Sequence, residues 1–274
     1  MRITPLSSLQ NVKIKEALSL RERRARDQSG LFLIEGYREL LRALEADWLL
    51  VRLFMCEPLF LGENEQALIK RAAQAGAEII SCDPKLFQRL SYRDRPDGLL
   101  GVSMQRHWGL DKLTPLVKKR ASPLLVVAEA IEKPGNLGTI LRSSDAVGVD
   151  GLILCDQCTD LHNPNVIRAS VGTRFTVPAF EAEGAAAISW LRQQKIKIVA
   201  TTPAADTLFT AADLTAPVAI VVGTEQLGLS AAWLEAADLR VRIPMKGAAD
   251  SLNVAMATTL VLYEALRQRT GSLN

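Results

Sequence analysis

The chain is poor in the residues that most often declare chemistry. Of its 274 residues only two are histidine and four are cysteine, and aromatics make up 5%. His107 and His162 stand alone, without metal-ligand spacing, so no metal centre is expected. Cys56, Cys82, Cys155 and Cys158 supply one CxxC, at 155–158. No second pair lies close enough to complete a zinc ribbon, and the aromatic neighbour usual in a thioredoxin-like site is missing. Cys155 therefore reads as a strand-end residue and Cys158 as a loop residue, with a redox pair as the remotest alternative. No GxGxxG follows a strand, no GxxxxGK[ST] occurs, and there is no GxSxG. These absences leave a dinucleotide Rossmann site, a P-loop and a serine-hydrolase elbow unsupported. No apolar run is long enough to span a bilayer, and none at the N-terminus suggests a signal peptide. The expectation is a soluble cytoplasmic protein without membrane contact.

What is present is a chain rich in core-forming residues. It is 48% hydrophobic with a net charge of +3 and an isoelectric point near 8.7. The length favours two domains, and the mild basicity is compatible with nucleic acid. Residues 8–27 carry Leu9, Val12, Ile14, Ala17, Leu18 and Leu20 among charges, which reads as a helix. Arg21, Arg23, Arg24 and Arg26 crowd its end. Four arginines in so short a stretch exceed what a helix C-terminus needs and suit phosphate oxygens. Strands are expected at 31–36, 48–56, 78–82 and 98–104, with helices between them. This alternation predicts an α/β domain over residues 1–106. Two polar loops at its strand ends, Glu35–Gly36 and Arg93–Asp94–Arg95, either touch a ligand or only turn the chain. Residues 107–122, with Lys112, Lys118, Lys119, Arg120 and Pro115, read as a linker.

Alternation resumes over 123–274. Leu124 to Ile131 is apolar throughout, as a central parallel strand would be. Further strands are expected at 151–155, 176–180, 196–203, 218–225 and 239–245, with a last helix after residue 250. In open α/β sheets ligands bind beyond the carboxyl ends of strands. Three such ends here are glycine-rich and polar: NLGTILR at 136–142, GTEQLGLS at 223–230 and IPMKGAADSLNVA at 243–255. Ser251 and Asn253 sit where the final helix begins, and both residue types cap helices. That helix is apolar nearly all round, so burial on more than one face is expected.

Together these three stretches, in this order and spacing, resemble the signature motifs of the SpoU (TrmH-like) RNA ribose 2′-O-methyltransferases. The resemblance covers the whole second domain. The early helix with Asn11, Lys13 and Lys15 and the FLIEG strand resemble, less specifically, the small L30e-like domain that binds RNA substrate in ribosomal RNA members. The resemblance implies an α/β SPOUT catalytic domain, a parallel sheet with a C-terminal trefoil knot, behind that small α/β domain. It implies S-adenosylmethionine as cofactor, a homodimer, and methyl transfer to a ribose 2′-hydroxyl of ribosomal RNA. Transfer RNA is the alternative substrate, and a non-catalytic RNA-binding scaffold the alternative function. Asn136, Arg142, Glu225, Ser251 and Asn253 match the family's functional polar positions. Gly223, Ile243 and Leu252 match positions that hold the donor. Gly228, Met245 and Glu225 are assigned to the same donor site, and Thr201 and Thr202 fall where the donor's ribose or adenine lies. With RNA as substrate, the clustered Arg21, Arg23, Arg24 and Arg26 are the expected RNA contacts, a solvated charged face being the alternative reading of the same residues. Arg142 matches the family's proposed base. A guanidinium holds its proton far above neutral pH, so holding the substrate phosphate is an equally open role. Ala255 stands where the family usually has serine.

Overall fold

The computed structural model describes residues 2–224 and 226–271. The chain begins with β1 (Ile3–Leu6), α1 (Val12–Ser19), α2 (Arg23–Ser29), β2 (Leu31–Glu35), α3 (Tyr37–Glu45) and β3 (Leu50–Met55). It continues through α4 (Glu65–Gln74), β4 (Glu78–Cys82), α5 (Pro84–Leu90), β5 (Leu99–Met104) and α6 (Leu110–Val117). Next come β6 (Leu124–Glu129), α7 (Pro134–Val147), β7 (Gly151–Cys155), α8 (Pro164–Ala169), β8 (Ala179–Ala182) and α9 (Gly184–Gln193). The chain closes with β9 (Lys197–Thr201), β10 (Thr207–Leu208), β11 (Val218–Val222), α10 (Ala231–Ala236), β12 (Leu239–Arg242) and α11 (Val254–Thr270). Among the described residues no helix is long and apolar enough to cross a membrane.

Two compact units form. The first takes residues up to Arg106 together with Asp160–Thr176. Its sheet has the order β1-β4-β3-β5-β2; β1, β4 and β3 run parallel, and β5 is antiparallel to both β3 and β2. The short β1, with Pro5 in it, sits at the sheet edge, where a missing N–H is tolerated. It is too short for its two-residue alternation to stand out in the sequence.

The helix expected over 8–27 is two helices. Asn11 caps α1 by accepting from the Lys13 N–H at 2.9 Å. The chain then turns at Leu20–Glu22 and restarts as α2. The turn lets Arg26 point inward. Its guanidinium is 1% exposed and donates to the Leu20 and Arg21 carbonyls and to Asp160 at 2.6 Å.

That ion pair explains why Asp160–Thr176 belongs with the first unit and not with the 123–274 stretch in which its sequence lies. Ile167 and Phe175 join the apolar cluster of Phe32, Trp48 and Leu53. His162 packs edge-on against Phe32, ring centroids 4.9 Å apart. Arg42 donates to the Val171 carbonyl at 2.6 Å.

The second unit takes His107–Thr159 and the chain from Val177 onward. Its sheet has the order β10-β12-β9-β11-β6-β7-β8, and every pairing is parallel. β6, β7 and β11 are buried at every position, as strands covered on both faces must be. Residues 107–122 are not a linker. They form α6, with Leu113 and Val117 in the core of this unit and Trp108, Leu110 and Leu116 packed against it. The lysines and Pro115 suggested a linker, but the apolar residues follow a helical period and bury one face. β8 starts three residues later than the strand expected at 176–180.

Candidate functional site

β9, β11 and β12 are neighbours in one parallel sheet, so their carboxyl ends open on the same side. A cavity of about 370 Å³ lies there. Thr201 and Thr202 line it from the end of β9, Gly223 from the end of β11, and Ile243 and Met245 from beyond β12. Ser251 and Leu252 line it from the approach to α11, and Gly228 from the loop after β11. The second and third glycine-rich motifs thus line one cavity; no residue of the first, 136–142, lines it.

The loop after β11 folds back on itself. Thr224 and Gly228 exchange both main-chain hydrogen bonds, at 3.0 and 3.1 Å. Gly228 has φ +70, and a Cβ on Gly223 would be driven into the Gly228 main chain. Both glycines are therefore required by this close self-approach. Ser230 N–H donates to the Glu129 carboxylate at 2.9 Å, which ties the loop to the end of β6.

The lower wall is apolar. Val222, Leu229, Leu234, Leu252 and Val254 face the cavity. The Thr201 hydroxyl is buried with no hydrogen-bond partner among the described residues. An unsatisfied buried hydroxyl beside an apolar slot suits a ligand with a flat ring and a polar edge. Thr224, Leu227, Asp250 and Ala257 line the cavity too. Their residue types carry no chemical demand, so only their position between the motif residues pointed to them.

Asn253 is the N-cap of α11. Its side-chain oxygen accepts from the Ala255 and Met256 N–H groups at 3.0 and 3.4 Å. Its amide nitrogen donates to the Asn136 side-chain oxygen at 3.1 Å. The first and third motifs are thereby joined by side chains 117 positions apart. Ala255 is 1% exposed. The cap and the Asn136 bond fix Asn253 without a hydroxyl at 255. Helices α7 and α11 are also joined by the Ser143 and Thr259 hydroxyls at 2.6 Å.

Arg142 stands apart. It does not line the cavity, it is exposed, and it has no charged or hydrogen-bonding partner among the described residues. Glu225, assigned to catalysis and donor binding, lies outside the described residues.

The arginine run of the first unit is divided: Arg21, Arg23 and Arg24 are exposed and Arg26 is not. Arg26 is buried as described. Arg21 donates to the carbonyls of Arg89, Leu90 and Ser91 at the end of α5. Arg23 lies 3.6 Å from Asp27. Only Arg24 is exposed and without a partner among the described residues. Helix-end carbonyls hold Arg21 and a buried carboxylate holds Arg26, which leaves Arg23 and Arg24 as the exposed cations of the run. The CxxC carries no redox site either. Cys155 is fully buried, and burial pushes its thiol well above the usual range. Among the described residues no cluster of His, Cys, Asp and Glu could hold a metal.

Comparison with known proteins agrees with this geometry. A family model described as the SpoU rRNA Methylase family matches residues 123–263. One described as an MRM3-like substrate binding domain matches residues 11–101. The 23S rRNA (uridine(2479)-2'-O)-methyltransferase of Streptomyces viridochromogenes is 32% identical over 257 residues, 91% of this chain and 87% of that protein. An AdoMet-bound rRNA methyltransferase from Sinorhizobium meliloti matches at TM-score 0.86 and 29% identity, over 97% of this chain and 98% of that one. A structure described as an RNA 2'-O ribose methyltransferase is 40% identical at TM-score 0.82, over 97% of this chain and 100% of that one.

Proposed function

Because the chain belongs to the SpoU rRNA methylase family, we propose that it methylates a ribose 2′-hydroxyl of ribosomal RNA with S-adenosylmethionine as donor. The observation that carries this reading is the cavity walled by the second and third motifs and the end of β9, at the carboxyl ends of β9, β11 and β12. Its apolar wall, the unpaired Thr201 hydroxyl and the glycine-paired loop fit the donor's adenosine. Ile243, Met245 and Leu252 would pack on the donor, Gly223 and Gly228 would approach it by main chain, and Thr201, Thr202 and Ser251 would meet its polar edges. When bound, S-adenosylmethionine supplies a methyl group on a sulfonium, already activated toward an oxygen nucleophile.

The protein's own task is then positioning and proton removal. Asn253, held by its cap and by Asn136, orients the entrance of α11 toward the cavity. Arg142 carries a free fork suited to the phosphate beside the reacting ribose. Its exposure offers little desolvation to strip a proton, which favours the phosphate role over the base role. Glu225 keeps the role that its motif assigns. In the family's fold the C-terminal segment threads through a loop as a trefoil knot, and we take this chain to do the same. A ribosomal substrate implies a cytoplasmic location, and the free thiols of all four cysteines suit one.

Mapping of 2′-O-methyl groups in ribosomal RNA from a deletion strain tests the activity. One position should lose its methyl group and regain it with the purified protein and donor. A lost methyl group in transfer RNA instead would move the substrate. The replacement Gly223→Val is expected to weaken S-adenosylmethionine binding at least tenfold by calorimetry, because its Cβ forces the Gly228 loop open. Gly247→Ala, whose Cβ meets nothing within 4 Å, is the control and should bind normally. Equal affinities for the two variants would remove the cavity from the donor site.

The second copy of a homodimer would cover α11. Burial of that helix on more than one face is not seen within the chain: Met256, Leu260 and Tyr263 are 62%, 43% and 42% exposed. Their spacing of four and three residues makes one apolar stripe. Sedimentation should show a dimer at micromolar concentration and a monomer for Leu260→Asp. A monomeric parent protein would refute the dimer.

A further inference from the structure

The first unit holds a second cavity, of about 450 Å³, that the methyl-transfer site does not use. Glu39, Arg93, Asp94, Arg95 and Arg168 wall it. One wall is an ion-paired cluster built around Arg93. Glu39, 5% exposed, accepts from Arg93 at 2.6 Å. The Arg93 guanidinium also donates to the Glu35 main-chain carbonyl and lies 3.8 Å from Asp97. Gly36, at φ +114, permits this close packing, because any Cβ there would collide with the Glu39 and Arg93 side chains. Below it the fully buried Glu35 carboxylate accepts from the Ser91 hydroxyl and, at 2.9 Å, from the Tyr92 N–H. Arg93 is thus held as a structural cation by Glu39 and the Glu35 carbonyl.

Arg95 and Arg168 are different. Both are exposed, and neither has a hydrogen-bonding or charged partner among the described residues. Arg93 serves Glu39 and Asp97 together, so Arg95 and Arg168 are the two cations of the cavity left without an ion-pair partner among the described residues, with Asp94 beside them. They come from distant parts of the sequence. Arg95 is on the loop before β5, and Arg168 is near the end of α8. α8 is held in the first unit by the buried Arg26–Asp160 pair and by Ile167 in the core. Arg168 is therefore presented from a fixed element, as a preorganised binding group must be. Two guanidinium forks on one cavity match the spaced oxygens of a phosphodiester backbone.

We infer that this cavity is a phosphate-binding site for the RNA backbone, with Arg95 and Arg168 as its contacting cations and Arg93 as their support. This site gives the first unit a phosphate contact separate from the run from Arg21 to Arg26. The inference rests on the RNA-methyltransferase reading.

The test uses the full chain and unmethylated 23S ribosomal RNA from the deletion strain, with filter binding over a range of KCl concentrations. The double replacement Arg95→Ala/Arg168→Ala is expected to weaken binding about tenfold or more near physiological salt. The slope of log K against log[salt] should become shallower by about 1–2. S-adenosylmethionine affinity and the melting temperature should not move. The lysine pair Arg95→Lys/Arg168→Lys, which keeps the charge, should retain most of the slope. Unchanged RNA affinity and slope in the alanine variant would overturn the inference while leaving the activity standing, provided the parent protein still methylates the RNA. A parent protein that neither binds nor methylates ribosomal RNA would fail the underlying reading instead. Loss of inorganic phosphate binding with RNA affinity intact would make the cavity a small-anion site and also overturn the inference.

Discussion

Arg142→Ala is expected to slow methyl transfer by a factor of roughly 10²–10⁴, the usual effect of losing a positioning or proton-transfer group. Donor affinity should stay at the parent value, because Arg142 does not line the donor cavity. The residue lies on α7, the helix whose first turn carries Asn136 and, through it, the bond to Asn253. It is exposed and unpartnered among the described residues, so its removal breaks no internal contact and should leave the melting temperature alone. Single-turnover transfer of labelled methyl to ribosomal RNA is the measurement. Arg142→Lys distinguishes the two roles. A phosphate clamp keeps part of its effect with lysine, which retains charge but not the planar fork. A proton acceptor would shift the rate–pH profile toward lower pH. Turnover of Arg142→Ala within a few-fold of the parent would mean that the first motif is not part of the active site.

Arg26→Ala should be the most damaging change to stability, costing about 3–5 kcal/mol, as expected when a buried pair loses one partner. The loss strands Asp160, 7% exposed, and leaves the Leu20 and Arg21 carbonyls without their guanidinium donor. A pair of apolar replacements, Arg26→Met with Asp160→Leu, removes both charges at once and should cost much less than Arg26→Ala. Urea unfolding followed by the fluorescence of Trp48, in the core of this unit, reads both variants. An unchanged midpoint for Arg26→Ala would show that the ion pair contributes nothing.

The cavity at the carboxyl ends of β9, β11 and β12 was legible in the sequence for a physical reason. Gly223, Gly228, Ile243, Ser251 and Leu252 lie in short stretches at strand ends, and parallel strands bring such ends together. Local order along the chain was enough to assemble the site. The arginines show the opposite case. Arg21, Arg23, Arg24 and Arg26 look alike in sequence, yet their fates are set by partners elsewhere. Asp160 lies 134 positions from Arg26, and the carbonyls that hold Arg21 lie about seventy positions away. Nothing in a single sequence tells a guanidinium with a buried partner from one without. The same limit hid Arg168 beside Arg95. The linker reading failed differently: Lys118, Lys119 and Pro115 drew the eye, while Leu113 and Val117 already had the spacing of a buried face.

The placement of Asp160–Thr176 also sets an order of events during synthesis. The first unit takes its other residues from the stretch that ends at Arg106. Its core stays incomplete until the chain has been extended by 70 further residues, from 106 to 176. At about 5–20 residues per second this interval lasts roughly 4–14 s. Until residue 160 is made Arg26 lacks its Asp160 carboxylate, and Phe32 and Trp48 lack the His162 and then the Phe175 ring that later pack on them. A nascent chain at that stage presents aromatic surface to whatever is nearby. It should be the stage most prone to association, and a chain stalled between residues 106 and 160 a natural client for a chaperone.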